Sequence, residues 1–251
     1  MKKIILDLCG GTGSWAKPYK DAGYKVITIT LPDYDIRKTI LKDGHITFVG
    51  KGKSHLVVAK AVYGILAAPP CTMFSFARTN AKKPRDLKEG MECVRACLEI
   101  IWYCMELQMK TAGKTLPLKF WCLENPYHGF LKNFLGKPAF TFDPWEFGDD
   151  YQKRTALWGS FFEPKKIKFL PEGGGGKDTF YVSEEKMKEL LEFEKGKSNN
   201  GQHFQPIGLR VKFDYMASKD IHPEFFGKFD RATRRSITPQ GFAQAFYKAN
   251  L

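Results

Sequence analysis

Read for its hydrophobic and polar positions, the chain opens with a short apolar run, KKIILDL (2–8), broken near its end by one acidic residue. A run of this length is the pattern of a strand buried on both faces. CGGTGSW follows, then a predicted helix reaching about Ala22, and GYKVITITL (23–31) alternates as a second strand. Strand, glycine turn, helix and strand in that order begin a parallel α/β sheet. VYGILAA (62–68) predicts a further buried strand that stops at Pro69-Pro70. Asp86, with Glu89 three residues on, has the form of a helix N-cap and its partner. Apolar residues then recur at Leu87, Met91, Val94, Leu98, Ile101 and Met105, a helical core stripe ending near Gly113. LKFWCLENP (118–126) reads as another strand running into a turn.

After Trp158 the pattern changes. PEGGGGKD (171–178) predicts a flexible joint, VSEEKMKELLEFEKGK (182–197) a charged amphipathic helix, GKSNNGQ (196–202) a loop and QPIGLRVKFDY (205–215) a strand. From Arg234, RRSITPQGFAQAFYKANL predicts a helix started by a proline. The expected organisation is an α/β domain over 1–158, completed by 234–251, with a small inserted domain at 159–233.

Composition narrows the function classes. With 251 residues, 43% hydrophobic and 14% aromatic, the chain can build a large core. No apolar run reaches the roughly 18 residues of a membrane span, and Met-Lys-Lys-Ile-Ile lacks a signal peptide's apolar region and cleavage site. The expectation is a cytoplasmic protein without a membrane partner. Six cysteines (9, 71, 93, 97, 104 and 122) form no CxxC pair, so reduced thiols are expected. Forty Lys and Arg against 27 Asp and Glu give +13, a balance that favours nucleic acid or another polyanion. Residues 1–158 carry +9 of this, 159–233 carry +1 and 234–251 carry +3.

Three stretches could carry chemistry. In LDLCGGTGSW an acidic strand end leads through glycines into a helix, which lets backbone approach a nucleotide-like ligand; the GxGxxG spacing is absent. Asp33 and Asp35 could accept hydrogen bonds from ribose hydroxyls or an adenine amino group, or LPDYD could be an ordinary surface turn. In GILAAPPCTMFSF (64–76), Pro69-Pro70 stiffen the approach to Cys71, and Arg78, Lys82, Lys83 and Arg85 follow. The stretch fits a buried strand with a solvated basic loop, and it equally fits a nucleophilic thiolate that awaits a polyanion. Zinc-deaminase chemistry is excluded, because no histidine starts an HxE and PCTMF lacks the PCxxC cysteine; no metal is expected. A Cys-His hydrolase pair remains open. In WCLENP, Glu124 is held at a strand end, as a candidate acid/base or as a turn carboxylate.

Taken together and in order, these segments resemble the cytosine-C5 DNA methyltransferase family. DLCGGTGSW resembles its AdoMet motif, APPC its Pro-Cys nucleophile motif, LENP its Glu-Asn-Val/Pro motif, QKR (152–154) its Gln-x-Arg-x-Arg motif and RRSITPQGFAQAF its closing motif. The resemblance covers most of residues 1–158 and 234–251. It implies a doubly wound, mostly parallel α/β sheet of the AdoMet-dependent methyltransferase type, with the insert as target-recognition domain. It implies AdoMet as cofactor and double-stranded DNA as partner, for a monomer in a bacterial or phage-infected cell. Cys71 thiolate would add to cytosine C6, Glu124 would hold the N3–H and exocyclic amine side, and Arg154 would bond the base O2 or support the nucleophile.

The resemblance also assigns binding residues. Asp7, Gly10, Gly11, Gly13 and Ser14 map onto the AdoMet loop, Asp35 and Ile36 onto the adenine contact, and Pro70 adjoins both cofactor and base. Cys9 stands where the family stacks an aromatic on adenine, with Trp15 able to compensate. Asp33 is a substitute for the usual acid after the second strand, and Thr238 joins the cofactor set from the closing motif. Arg78, Lys82, Lys83 and Arg85 would meet phosphates. Lys197, Asn199, Asn200, Gln202 and Arg210 in the insert are of the types that read base edges, or are turn formers. Ala156 replaces the second arginine of its motif. These departures mark a compact, divergent member and leave two other readings: an RNA cytosine-C5 methyltransferase, and a catalytically impaired DNA-binding homologue. Thymidylate synthase also adds a cysteine to pyrimidine C6, but the glycine turn and the closing tail argue against it.

Overall fold

The computed structural model describes residues 2–76, 81, 83–112, 118–149, 153–167, 227, 229, 233 and 236–251. Within them runs a sheet of six strands in the order β2-β1-β6-β7-β9-β8. These are β1 (Ile4–Leu8), β2 (Lys25–Ile29), β6 (Val62–Ala67), β7 (Phe120–Pro126), β8 (Phe140–Phe142) and β9 (Thr155–Ser160). β2, β1, β6 and β7 pair in parallel, and β9 pairs antiparallel with both β7 and β8. The chain leaves β1 towards β2 on one side and returns to β6 on the other. That reversal makes a topological switch point at the carboxyl ends of β1 and β6, where ligands of open α/β sheets bind.

Helices cover both faces, which is why the central strands β1 and β6 are almost wholly apolar and buried. β1 is buried at all five positions. Its Ile4, Leu6 and Leu8 join the core under α2 (Leu87–Ala112), with Val94, Cys97, Ile100, Ile101 and Cys104. Short α3 (Lys132–Leu135) follows β7, and Ile5 points the other way, into a second core with Tyr19 of α1 (Lys17–Asp21) and Phe242 and Phe246 of α4 (Gln240–Ala249). The alternation follows from the two-residue period of a strand. The sequence expectation of a mostly parallel α/β sheet between helices therefore holds. Asp86 caps α2 as expected, its Oδ1 accepting from Glu89 N at 2.9 Å.

α4 starts after Pro239 and sets Phe242 and Phe246 one turn apart on one face. The Phe242 ring stacks on Phe142 with centroids 3.9 Å apart, and Phe246 meets Trp15 edge-on at 5.4 Å. Buried Asn250 then ties the helix end to the segment after β9: its Oδ1 accepts from Phe162 N at 2.8 Å and its Nδ2 donates to Phe162 O at 2.9 Å.

Two features depart from expectation. Residues 40–58 form a separate antiparallel sheet of β3 (Ile40–Lys42), β4 (His45–Val49) and β5 (Ser54–Val58). Only β4 has the alternation of a half-buried strand, with Ile46 and Phe48 inside; β3 is three residues long and β5 leaves Leu56 exposed. The first unit also does not stop at Trp158. β9 runs to Ser160, Ile167 N donates to Glu146 O at 2.9 Å, and Lys166 Nζ pairs with Glu146 Oε1 at 2.8 Å. Residues up to Ile167 thus pack on the first unit, and the helix, loop and strand expected within 171–215 lie outside the described residues.

The second core depends on the aromatic stack beneath α4. Phe242→Ala is expected to lower unfolding free energy by about 3–5 kcal/mol, read as a fall in the urea midpoint, with Phe242→Leu losing less.

Candidate active site

The loop after β1 is set by conformations that only small residues hold at low cost. Gly11 and Gly13 have φ of +54° and +72°, and Gly13 N donates back to Gly10 O at 2.9 Å. Gly10 has no room for a Cβ, because the Asp7 carboxylate lies directly against it. Asp7 is fully buried; Thr28 Oγ1 donates to its Oδ2 at 3.3 Å, and Oδ1 has no hydrogen-bond partner among the described residues. Burial pushes this carboxyl up to about 7. Ser14 Oγ accepts from Thr238 N at 2.8 Å, which brings the closing segment onto the loop. A cleft of about 540 Å³ opens between Gly11–Ser14, α1 and Thr28 of β2.

The other expected cofactor residues divide. Cys9 takes a positive φ of 56° and packs against α2, where the Cys97 thiol hydrogen-bonds with it. That bond, with burial, holds the Cys97 thiol well above its usual range. Asp35 caps a short 3-10 turn (Ile36–Lys38), with Ile36 buried beneath. Arg37 grips its carboxylate through Nε at 2.9 Å and Nη2 at 2.8 Å, which holds the carboxyl below the usual range. Arg37 Nη1 also reaches Glu92 Oε2 of α2 at 3.4 Å, which ties this end of the site to α2. Asp33 is instead exposed and paired with Lys53 at 2.8 Å. Trp15 belongs to the second core, wedged between Phe242 and Phe246 at 2% exposure, and is not a surface on which an adenine could stack. The cause is α4, whose aromatic face occupies that side of the indole.

β6 and β7 end side by side, in register from Gly64↔Phe120 to Ala67↔Leu123. Beyond Ala67, Ala68 N donates to Leu8 O at 2.9 Å, and Pro69-Pro70 carry the chain to half-buried Cys71. Buried Asn125 donates through Nδ2 to Pro69 O at 3.0 Å, so the residue after Glu124 holds the residue two before Cys71. The loops beyond are laced together as well. Ser75 bridges Gly129, Phe76 N donates to His128 O at 3.1 Å, and Phe130 N donates to Phe74 O at 3.0 Å.

Arg85, expected on a phosphate, instead clamps these loops. Its guanidinium donates to Met73 O and to Ser75 O and lies 4.9 Å over the Phe130 ring. A planar fork that donates to two carbonyls of one loop acts here as a structural brace. Lys83 remains on the surface and pairs with Glu89 at 2.6 Å. Arg78, Lys82, Lys197, Asn199, Asn200, Gln202 and Arg210 lie outside the described residues.

Glu124 is 20% exposed, and the cation beside it is Lys153, with Nζ 3.9 Å from Oε1. Arg154 does not pair with it. Its guanidinium turns to Thr141 Oγ1 at 2.9 Å and to Asp143 Oδ2 at 3.3 Å. Burial raises the Asp143 carboxyl against the lowering pull of Arg154. The reason is local: successive side chains at a strand's start point to opposite sides, and Asp143 also accepts from Lys153 N at 3.1 Å, fixing which residue faces which way. Ala156 is fully buried opposite Asn125. Lys153, Asn125 and the Ser14–Thr238 contact lie outside the sequence expectations, although the first two sit inside QKR and LENP.

Among the described residues, none of the six cysteines forms a disulfide, no group of three or more His, Cys, Asp or Glu could hold a metal ion, and no helix is long and apolar enough to cross a membrane. No protein-family model and no curated protein matches the chain.

Asp7 gives a test of the loop. Because burial lifts its folded-state pKa from 3.8 to about 7, the folded state holds more protons than the unfolded chain across that window, and stability falls as pH rises through it. A shift of about three units bounds the loss at about 4 kcal/mol. Asp7→Asn is expected to remove this slope, so urea unfolding from pH 4 to 8 should show wild type losing stability relative to the variant. Parallel curves would mean that Asp7 does not titrate there.

Proposed function

We propose that this chain is an AdoMet-dependent methyltransferase that acts on C5 of a flipped-out cytosine in DNA. One observation carries the reading: Asn125 Nδ2 bonds Pro69 O at 3.0 Å across adjacent strand ends, so that the Cys71 thiol and the Glu124 carboxylate issue from one braced edge. That edge borders the glycine loop at the switch point of the sheet. The antiparallel β9 between β7 and β8, and helices on both faces, suit the methyltransferase fold expected from the motifs.

The loop suits an elongated nucleoside cofactor. Gly10 forbids a side chain over Asp7, Gly11 and Gly13 turn the backbone, and the cleft beside them holds about 540 Å³. Gly10–Ser14, Asp35 and Ile36 would hold AdoMet, with Pro70 between cofactor and base. When bound, AdoMet supplies an electrophilic methyl group. The chain's residues do the rest. Cys71 sulfur bonds to cytosine C6, and the C5=C6 electron pair moves towards C5 and the N3 side of the ring, where Glu124 faces it. C5 takes the methyl group, the C5 proton leaves to a base, and the thiolate departs as the double bond returns, giving 5-methylcytosine. A base inside a duplex cannot reach a strand-end thiol, so the nucleotide must leave the stack at a cost of about a few kcal/mol. The +9 charge on residues 1–158 suits a polyanionic substrate.

The test is covalent trapping on duplex DNA carrying 5-fluorocytosine, with AdoMet present. Wild type is expected to form an adduct that survives denaturing electrophoresis, and Cys71→Ser to form none while still binding DNA. Turnover retained by Cys71→Ser would remove the sulfur from the mechanism, and transfer confined to RNA would replace the DNA assignment. Glu124→Gln is expected to slow methyl transfer by about 100-fold, with AdoMet affinity by calorimetry within about twofold of wild type.

A further inference from the structure

Lys153 is a cation in an unusual position. Its side chain is only 15% exposed, yet the carboxylate paired with it, Glu124, stands 3.9 Å away, beyond direct hydrogen-bond distance. A charge withdrawn from water is ordinarily paired closely, because desolvation is costly. Here ammonium and carboxylate stand side by side without closing on one another, so both can turn to a third group. The neighbouring arginine is not a competitor, since Thr141 and Asp143 hold Arg154 on the opposite side. Asp143 fixes this division by accepting from both Lys153 N and Arg154 Nη1.

We propose that Lys153 is a second catalytic residue of the covalent step, contacting the target pyrimidine beside Glu124; this rests on the methyltransferase reading above. When the S–C6 bond forms, the electron pair of C5=C6 is displaced through C4 to N3 and the adjoining carbonyl oxygen, and negative charge collects on that edge of the ring. A fixed ammonium there offsets the charge without giving up its proton, and its effect is large because the site is shielded from water. The charge disperses again when C5 takes the methyl group, so the lysine acts mainly on addition. Side by side, carboxylate and ammonium also present an acceptor next to a donor. That pair complements the amino group and ring acceptors of cytosine.

Lys153→Met keeps the aliphatic stem and removes the charge, while Lys153→Arg restores a cation. The experiment follows adduct formation on 5-fluorocytosine duplex DNA and methyl transfer to cytosine DNA, with AdoMet affinity measured alongside. Lys153→Met is expected to slow both rates by about 10- to 100-fold and leave AdoMet affinity within about twofold, and Lys153→Arg to recover most of the loss. Adduct formation at the wild-type rate in Lys153→Met overturns the proposal and leaves the parent reading standing. Equal losses in Met and Arg variants, with weaker AdoMet binding, also overturn it, because that pattern marks a packing role. A wild type that neither forms adducts nor transfers methyl groups defeats the parent reading, and this proposal with it.

Discussion

Everything in the site follows from the parallel pairing of β1, β6 and β7. Parallel neighbours finish on the same side of a sheet, so three loops far apart in sequence emerge at one edge. The pairing also demands burial on both faces, and this chain meets that demand with α2 on one side and α1 with α4 on the other. The edge is then stiffened by contacts between loops as well as within them. Ala68 N reaches Leu8 O, Asn125 reaches Pro69 O, and Phe130 N reaches Phe74 O. A thiol and a carboxylate carried on such a frame keep a fixed relation, which pre-organised chemistry needs.

The charged residues sort by what lies under them. Arg85 and Arg154 carry planar guanidinium groups and are both spent on internal acceptors, two carbonyls in one case and Thr141 with Asp143 in the other. Lys153 reaches past them to Glu124, while Lys83 stays on the surface. Among the described residues, these two arginines therefore serve as braces.

How much of this was legible beforehand depended on the range of the interaction. β1, β6, β7, the cap at Asp86 and the stripe on α2 are local patterns, and they were readable. The sheet of β3–β5 was not, since β3 is too short to carry a period and the exposed Leu56 hides the alternation of β5. In the loop after β1, the acidic strand end and glycine turn of LDLCGG were legible, and Gly10 lies against Asp7 there. Trp15 could not be placed, because its neighbours Phe242 and Phe246 lie more than 200 residues away in sequence. Arg154 and Lys153 are adjacent, and only the position of Asp143 decides which one meets Glu124.

The stack of Phe242 on Phe142 has a consequence for biogenesis. The face bearing Ile5, Tyr19, Leu66 and Phe120 is finished only when α4 arrives, long after those residues have been synthesised. A ribosome adding about 5–20 residues per second leaves that oily surface bare for many seconds. During this interval nothing in the nascent sheet distinguishes its own last helix from a stray apolar segment of another chain.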